Sequence, residues 1–137
     1  MKIVRLDHVN VRTSRLREMV AWYETYLGLT SGPRPAFGMG GAWLYAGEDP
    51  VVHLVEVDRP GASVEPNIEH FAFAATGRAA FLRRLEAGGV AARVSRVPGM
   101  PIVQVNVADC DGNHIHVDFA ADEDADTDEA ETARPGA

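Results

Sequence analysis

The hexapeptide LDHVNV (residues 6–11) places one histidine between an acid and an alternating apolar run, and IEHFAF (residues 68–73) repeats the pattern. The same order of elements follows each copy. Residues 3–11, IVRLDHVNV, alternate as a strand does. Ser14 then offers an N-cap, Leu16, Met19, Val20, Tyr23 and Leu27 fall at helical spacing, and Gly28 supplies a stop. A short extended stretch at 29–31 leads into a Gly/Pro-rich loop, GPRPAFGMGG, and then AWLYAG and VVHLVEV, separated by EDP, read as a hairpin.

The second copy runs the same way. NIEHFAFAA forms a strand, and a helix from about Gly77 turns Phe81, Leu82 and Leu85 inward before Gly88 and Gly89 end it. AARVSRV, PIVQVNV and HIHVDF supply three more strands, the last two joined by ADCDGN, whose Asp-Gly is a turn signal. Each half is thus β-α-β-β-β, an α+β arrangement. A repeated unit of this size does not bury its apolar face alone. The expectation is one domain over residues 1–120, built from a module at 1–60 and a module at 66–120 that pack together, within one chain or between chains.

Composition narrows the function classes. The net charge of −7 is concentrated in the end of the chain: from Asp122 onward there are seven acids and one arginine, which leaves about −1 for the rest. Residues 121–137 have no apolar period and too little to bury, so they read as a disordered acidic tail. No basic stripe with interleaved aromatics points to nucleic acid. No apolar run approaches the roughly 20 residues of a membrane span, and the charged first twenty residues do not resemble a signal peptide, so a cytoplasmic location is expected. The single cysteine, Cys110, rules out an internal disulfide and a thiolate-rich metal site, and it is assigned no role.

The histidines follow the duplication. His8 and His70 are 62 residues apart and His53 and His116 are 63 apart, so the first-strand and last-strand histidines recur at nearly the repeat length. Any one of them alone reads as a hydrogen-bonded core or surface residue. Four at equivalent places point instead to imidazoles converging on one divalent ion, because apolar side chains would fill a core with less desolvation cost. His114 shares a strand face with His116, but a two-residue step is about 6.6 Å, so it reads as exposed or as a supporting residue. Asp118, two residues further on, is a solvated carboxylate or an orienting partner for an imidazole.

With LDHVNVRT, WYETYLGL, the AGGV helix end and DCDGNHIHV in place, the chain resembles the vicinal oxygen chelate superfamily, the glyoxalase / bleomycin-resistance / extradiol-dioxygenase group, over residues 1 to about 120. The last stretch is similar to that family's D-P-D-G-N-x-I-E-L. The resemblance implies paired βαβββ modules forming a cup-shaped mixed sheet with the helices outside, around a divalent metal. It places the ligands on the first and last strands of both modules, at His8, His53, His70 and His116. It also implies frequent homodimers, sometimes with exchanged modules.

This chain departs from the family at His116, where the usual residue is Glu, and the family is variable at the position of His53. Imidazole in place of carboxylate leaves the centre more positive, favours anionic or chelating oxygen substrates and disfavours Mg²⁺, so Zn, Fe, Ni or Cu is expected. The leading expectation is a metalloenzyme, a lyase or isomerase, acting on a small molecule held through two neighbouring oxygens, with the metal as Lewis acid. An Fe(II)-dependent dioxygenase is the enzymatic alternative. A non-catalytic drug-binding protein is the other, with Phe37, Met39, Trp43 and Tyr45 as candidate pocket residues.

Overall fold

Strand alternation and helical periodicity produce the expected elements in the computed structural model, which describes residues 1–2, 4–59 and 67–123. The first module comprises β1 (Val9–Thr13), α1 (Leu16–Leu27), β2 (Thr30–Gly32), β3 (Gly41–Ala46) and β4 (Asp49–Glu56). The second comprises β5 (Phe71–Ala74), α2 (Arg78–Ala87), β6 (Arg93–Arg96), β7 (Ile102–Ala108) and β8 (His114–Ala120). Each is βαβββ, and together they make an α+β fold with two four-stranded mixed sheets. The strand orders are equivalent, β1-β4-β3-β2 and β5-β8-β7-β6, and in each the first strand runs parallel to the last while the other pairs are antiparallel.

The chain divides into two compact units, residues 1–65 with 109–111, and residues 66–108 with 112–137. In the first, Leu44, Val52 and Leu54 of the sheet are buried together with Met19, Trp22 and Tyr23 of α1, which packs on β2, β3 and β4. In the second, Val103, Val105, Val107, Ile115, Val117 and Phe119 are buried, and α2 contributes Phe81 and Leu85, with the Phe81 ring 5.9 Å from Phe119. Period-2 alternation sends the neighbouring residues of the same strands to the opposite face. In the first sheet that face carries the row Asn10, His53 and Trp43; in the second it carries Ala72, His116, Asn106 and Arg93.

Several boundaries differ from the sequence expectation. β1 begins at Val9 rather than residue 3, because β4 offers ladder partners only from Val52 onward. The cap of α1 is Arg15, not Ser14, and the local hydrogen bond comes from Arg15 N to Thr13 Oγ1 at 2.9 Å. Gly28 ends the helix as expected, in the left-handed conformation with φ 68°. The stretch expected as an acidic tail opens with a turn at 121–123 in which Glu123 Oε1 accepts hydrogen bonds from Gly77 N and Arg78 N, closing the start of α2. Residues 124–137 lie outside the described residues. Among those described, no helix is long and apolar enough to cross a membrane.

The ADCDGN turn contributes more than a reversal. Asp109 accepts a hydrogen bond from the buried Tyr23 hydroxyl at 2.9 Å and, through its other oxygen, one from Asp111 N at 2.9 Å. Asp111 in turn accepts from Thr13 Oγ1 at 2.6 Å, and Arg15 donates to Cys110 O at 2.7 Å. These bonds place residues 109–111 with the first unit. Burial and the Asp109 carboxylate raise the Tyr23 hydroxyl pKa, so it stays a donor. Burial, then Asp109, also raises the Cys110 thiol, the opposite of what a nucleophile requires.

Candidate metal centre

In the first unit, Arg5 makes two 3.0 Å hydrogen bonds to Asp49, holding the segment before β1 beside the start of β4. His8 follows two residues after Leu6 and donates from Nδ1 to Asp7 Oδ2 at 2.8 Å. A carboxylate only accepts here, so the proton sits on Nδ1 and Nε2 is left bare. The ring stacks on His53 at 3.9 Å with a 14° interplanar angle, and Trp43 stacks on the other side of His53 at 4.1 Å and 11°. His53 Nε2 donates to Pro50 O at 3.0 Å, which leaves its Nδ1 as the bare nitrogen. Burial, and then the neighbouring His8, lower the His53 pKa.

The second unit repeats the stacked pair. His70 lies on His116 at 3.8 Å and 13°. Glu69 takes the place of Asp7 but serves two rings: Oε2 accepts from His70 Nδ1, and Oε1 accepts from His114 Nδ1 at 2.6 Å. These two bonds hold the Glu69 carboxyl below its usual range. The sequence pattern places these histidines on the first strands, but they stand one residue before β1 and β5; the acid before each sets its tautomer, and this accounts for the duplicated acid-His pattern. His116 is lowered by burial first and by His70 second, and its Nδ1 is buried with no hydrogen-bond partner. One sheet row away, an oxygen of Asp118 is likewise buried without a partner, and this carboxylate opposes the lowering at His116.

His114 stands closer than the strand step suggests. Its ring lies 4.7 Å from His116 at 72°, because the two side chains lean toward each other while their backbone positions stay a full step apart. His70, His114 and His116 offer ligand nitrogens within 4.8 Å of one another. Nitrogens bound tetrahedrally at about 2.0–2.1 Å from one ion stand roughly 3.3–3.4 Å apart, so the three must draw together to share one. The three differ in readiness. Both nitrogens of His114 already face oxygens, Glu69 Oε1 and, at 3.1 Å, Asn106 Oδ1, so it must give one up to ligate. Asn106 is fixed by Arg93 and Ser95 and cannot simply turn its amide. His116 has a buried nitrogen to offer, which is costly while unpartnered and suits a metal.

Of the expected ligands, the structure brings His8 onto His53 in the first unit and His70 onto His116 in the second. Of the expected pocket residues, Phe37, Met39 and Trp43 line a hollow of about 210 Å³ beside His53. Tyr45 does not line it and instead donates to Pro33 O at 2.5 Å. Sequence reasoning missed Glu69 and the approach of His114, although the acid-His echo was the signal for the first.

The chain matches the Glyoxalase/Bleomycin resistance protein/Dioxygenase superfamily over residues 5–117. Among solved structures it is similar to a protein of Bacillus anthracis described as glyoxalase-family (22% identity, 88% of this chain and 98% of that one, TM-score 0.73). It is also similar to a glyoxylase/bleomycin resistance protein/dioxygenase domain from Frankia sp. EAN1pec (17% identity, 87% and 99%, TM-score 0.72). A third is lactoylglutathione lyase from Agrobacterium tumefaciens (20% identity, 82% and 90%, TM-score 0.59). These likenesses concern the fold. No curated protein matches the chain at a significant level. The duplicated βαβββ architecture and the match across nearly all of both modules establish that the chain belongs to the Glyoxalase/Bleomycin resistance protein/Dioxygenase superfamily.

Proposed function

We propose that the protein is a cytoplasmic, homodimeric, metal-dependent enzyme of glyoxalase type, acting on a small molecule that presents two neighbouring oxygens. His8, His53, His70 and His116 are the ligands of a divalent transition ion, Zn, Fe, Ni or Cu. One observation carries the reading: both units stack an imidazole just before the first strand on one of the last strand, and in each pair a carboxylate fixes the first ring as the Nδ1–H tautomer. Such carboxylate–histidine pairs are the usual support of metal-binding imidazoles.

The four rings suit the role chemically. His53 and His116 have lowered pKa values and so present neutral nitrogens at neutral pH, as ligation requires. When bound, the ion supplies Lewis-acid polarisation of the substrate's oxygens. The protein's own part is to bind and orient: four uncharged ligands leave the ion's charge uncompensated, which draws anionic oxygens, while Phe37, Met39 and Trp43 provide an apolar wall next to His53. That same hollow also supports the non-catalytic reading, in which an apolar ligand is held without turnover. Metal analysis separates the two readings. Protein purified without chelators is expected to carry near-stoichiometric transition metal, and His8→Ala and His116→Ala to lose most of it. Unchanged metal content in both variants overturns the ligand assignment, and metal-free native protein that still binds an apolar ligand favours sequestration.

A further inference from the structure

The loop between β2 and β3 carries an arginine whose surroundings neither the fold nor the metal ligands explain. Tyr45 fastens the loop's start through Pro33 O, and from there Arg34 turns back toward the His53 side of the first sheet. Its guanidinium lies 5.1 Å over the Phe37 ring, and Nη2 donates to Met39 O at 3.2 Å. Among the described residues no carboxylate is within ion-pairing distance of it, and its Nε is buried with no hydrogen-bond partner. A buried, unsatisfied guanidinium N–H is costly, and the fork geometry of this group matches a carboxylate best.

Arg34 lines the hollow of about 210 Å³ together with Phe37, Met39, Trp43, Asn10 and His53. The size is enough for a ring. A cavity of about 150 Å³ accepts benzene, so the enclosed part of this hollow holds one ring, and its open side leaves room for a substituent. Its walls are aromatic and thioether groups, which suit a flat apolar ring. Its single cation is Arg34. We propose that this hollow is the substrate-recognition site for a single aromatic ring bearing a carboxylate, with Arg34 reading the carboxylate and Trp43 and Phe37 holding the ring. The inference deepens the metal-centre reading, since His53 borders the same hollow, but binding here is measured without metal and so stands or falls separately.

The test uses two probes of equal ring size on chelator-treated full-length protein, titrated by NMR: phenylglyoxylate, which is anionic, and 1-phenyl-1,2-propanedione, which is neutral. The parent is expected to bind phenylglyoxylate more tightly than the dione. Arg34→Gln is expected to weaken phenylglyoxylate about 10-fold or more, the scale of a charge-assisted hydrogen bond, and to leave the dione within about 2-fold. Arg34→Lys is expected to retain part of the preference, and Trp43→Ala to weaken both probes. Equal affinity of the parent for the two probes, no binding of either, or an equal loss of both in Arg34→Gln overturns the proposal. Dione binding by Arg34→Gln at the parental level also shows that the variant is folded. If the histidine variants keep their metal while Arg34 still selects the anion, the metal reading fails and this one survives.

Discussion

In the first unit the last-strand imidazole, His53, is held between His8 and Trp43 with its Nε2 given to the Pro50 carbonyl, whereas in the second unit its counterpart, His116, stacks on His70 alone and keeps a buried nitrogen without a partner. The surroundings diverge in the same sense. His53 borders Trp43, Phe37 and Met39; His116 shares its row with Asn106 and Arg93 and has His114 at its edge. Duplication has kept the stack and changed what encloses it. The first unit offers an apolar wall for a ligand, and the second a polar network that fixes nitrogens. Two copies of one motif thus keep the same stacked imidazoles in an apolar and in a polar setting.

The units also secure their helices differently, and this gives the largest expected effect. Tyr23 of α1 is fully buried and bonded to Asp109, so Tyr23→Ala should cost about 3–5 kcal/mol and Tyr23→Phe about 1–3 kcal/mol, read from urea unfolding. If Tyr23→Phe proves neutral, the turn is held by Thr13 and Arg15 and the tyrosine bond is incidental.

Next is the difference between the two acids. Glu69 orients His70 and His114, whereas Asp7 orients His8 only. Loss of such a supporting carboxylate typically lowers metal affinity about 10–100-fold, so Glu69→Ala is expected to fall in that range and Asp7→Ala to fall short of it in a competitive metal titration. A greater loss in Asp7→Ala would show that the second bond of Glu69, to His114, adds nothing to metal affinity. Glu123→Ala removes the acceptor that closes the start of α2 and should destabilise the protein by about 0.5–2 kcal/mol; at α1 the acceptor is Thr13 Oγ1, two residues before the Arg15 cap rather than 46 residues away in the chain.

The smallest effect concerns pH. His53 and His116 both have folded pKa values lowered from 6.5, chiefly by burial. The unfolded chain therefore takes up protons first as pH falls, so their contribution to stability is complete above about 6.5 and is lost as pH drops through the lowered folded values. In metal-free protein, ring NMR should show both remaining neutral below the pH at which an unperturbed histidine is half charged. Titration of either at or above 6.5 would mean its ring is open to water.

The duplication was legible because period-2 and period-3.6 patterns, Gly28, and the Asp111–Gly112 turn are local signals, and both modules show the βαβββ element order those signals imply. The equivalence of the two stacked pairs, His8 on His53 and His70 on His116, was legible from their spacing, since residues at equivalent places in the two modules must meet equivalent neighbours. The role of Glu69 was half visible in the echo of Asp7-His8 by Glu69-His70. Its second bond, to His114, was not, because it joins residues 45 apart in the chain and depends on how two side chains lean.

The sequence by itself determined the class of fold and the repeat, because these follow from periodicity and residue identity. Only the tertiary structure decided which nitrogen of His8, His53 and His70 is bare, that His53 lies between two rings while His116 has an unpartnered nitrogen, and that Arg34 turns toward an aromatic hollow. Those outcomes depend on hydrogen-bond partners and packing distances between residues far apart along the chain, and no local pattern encodes them.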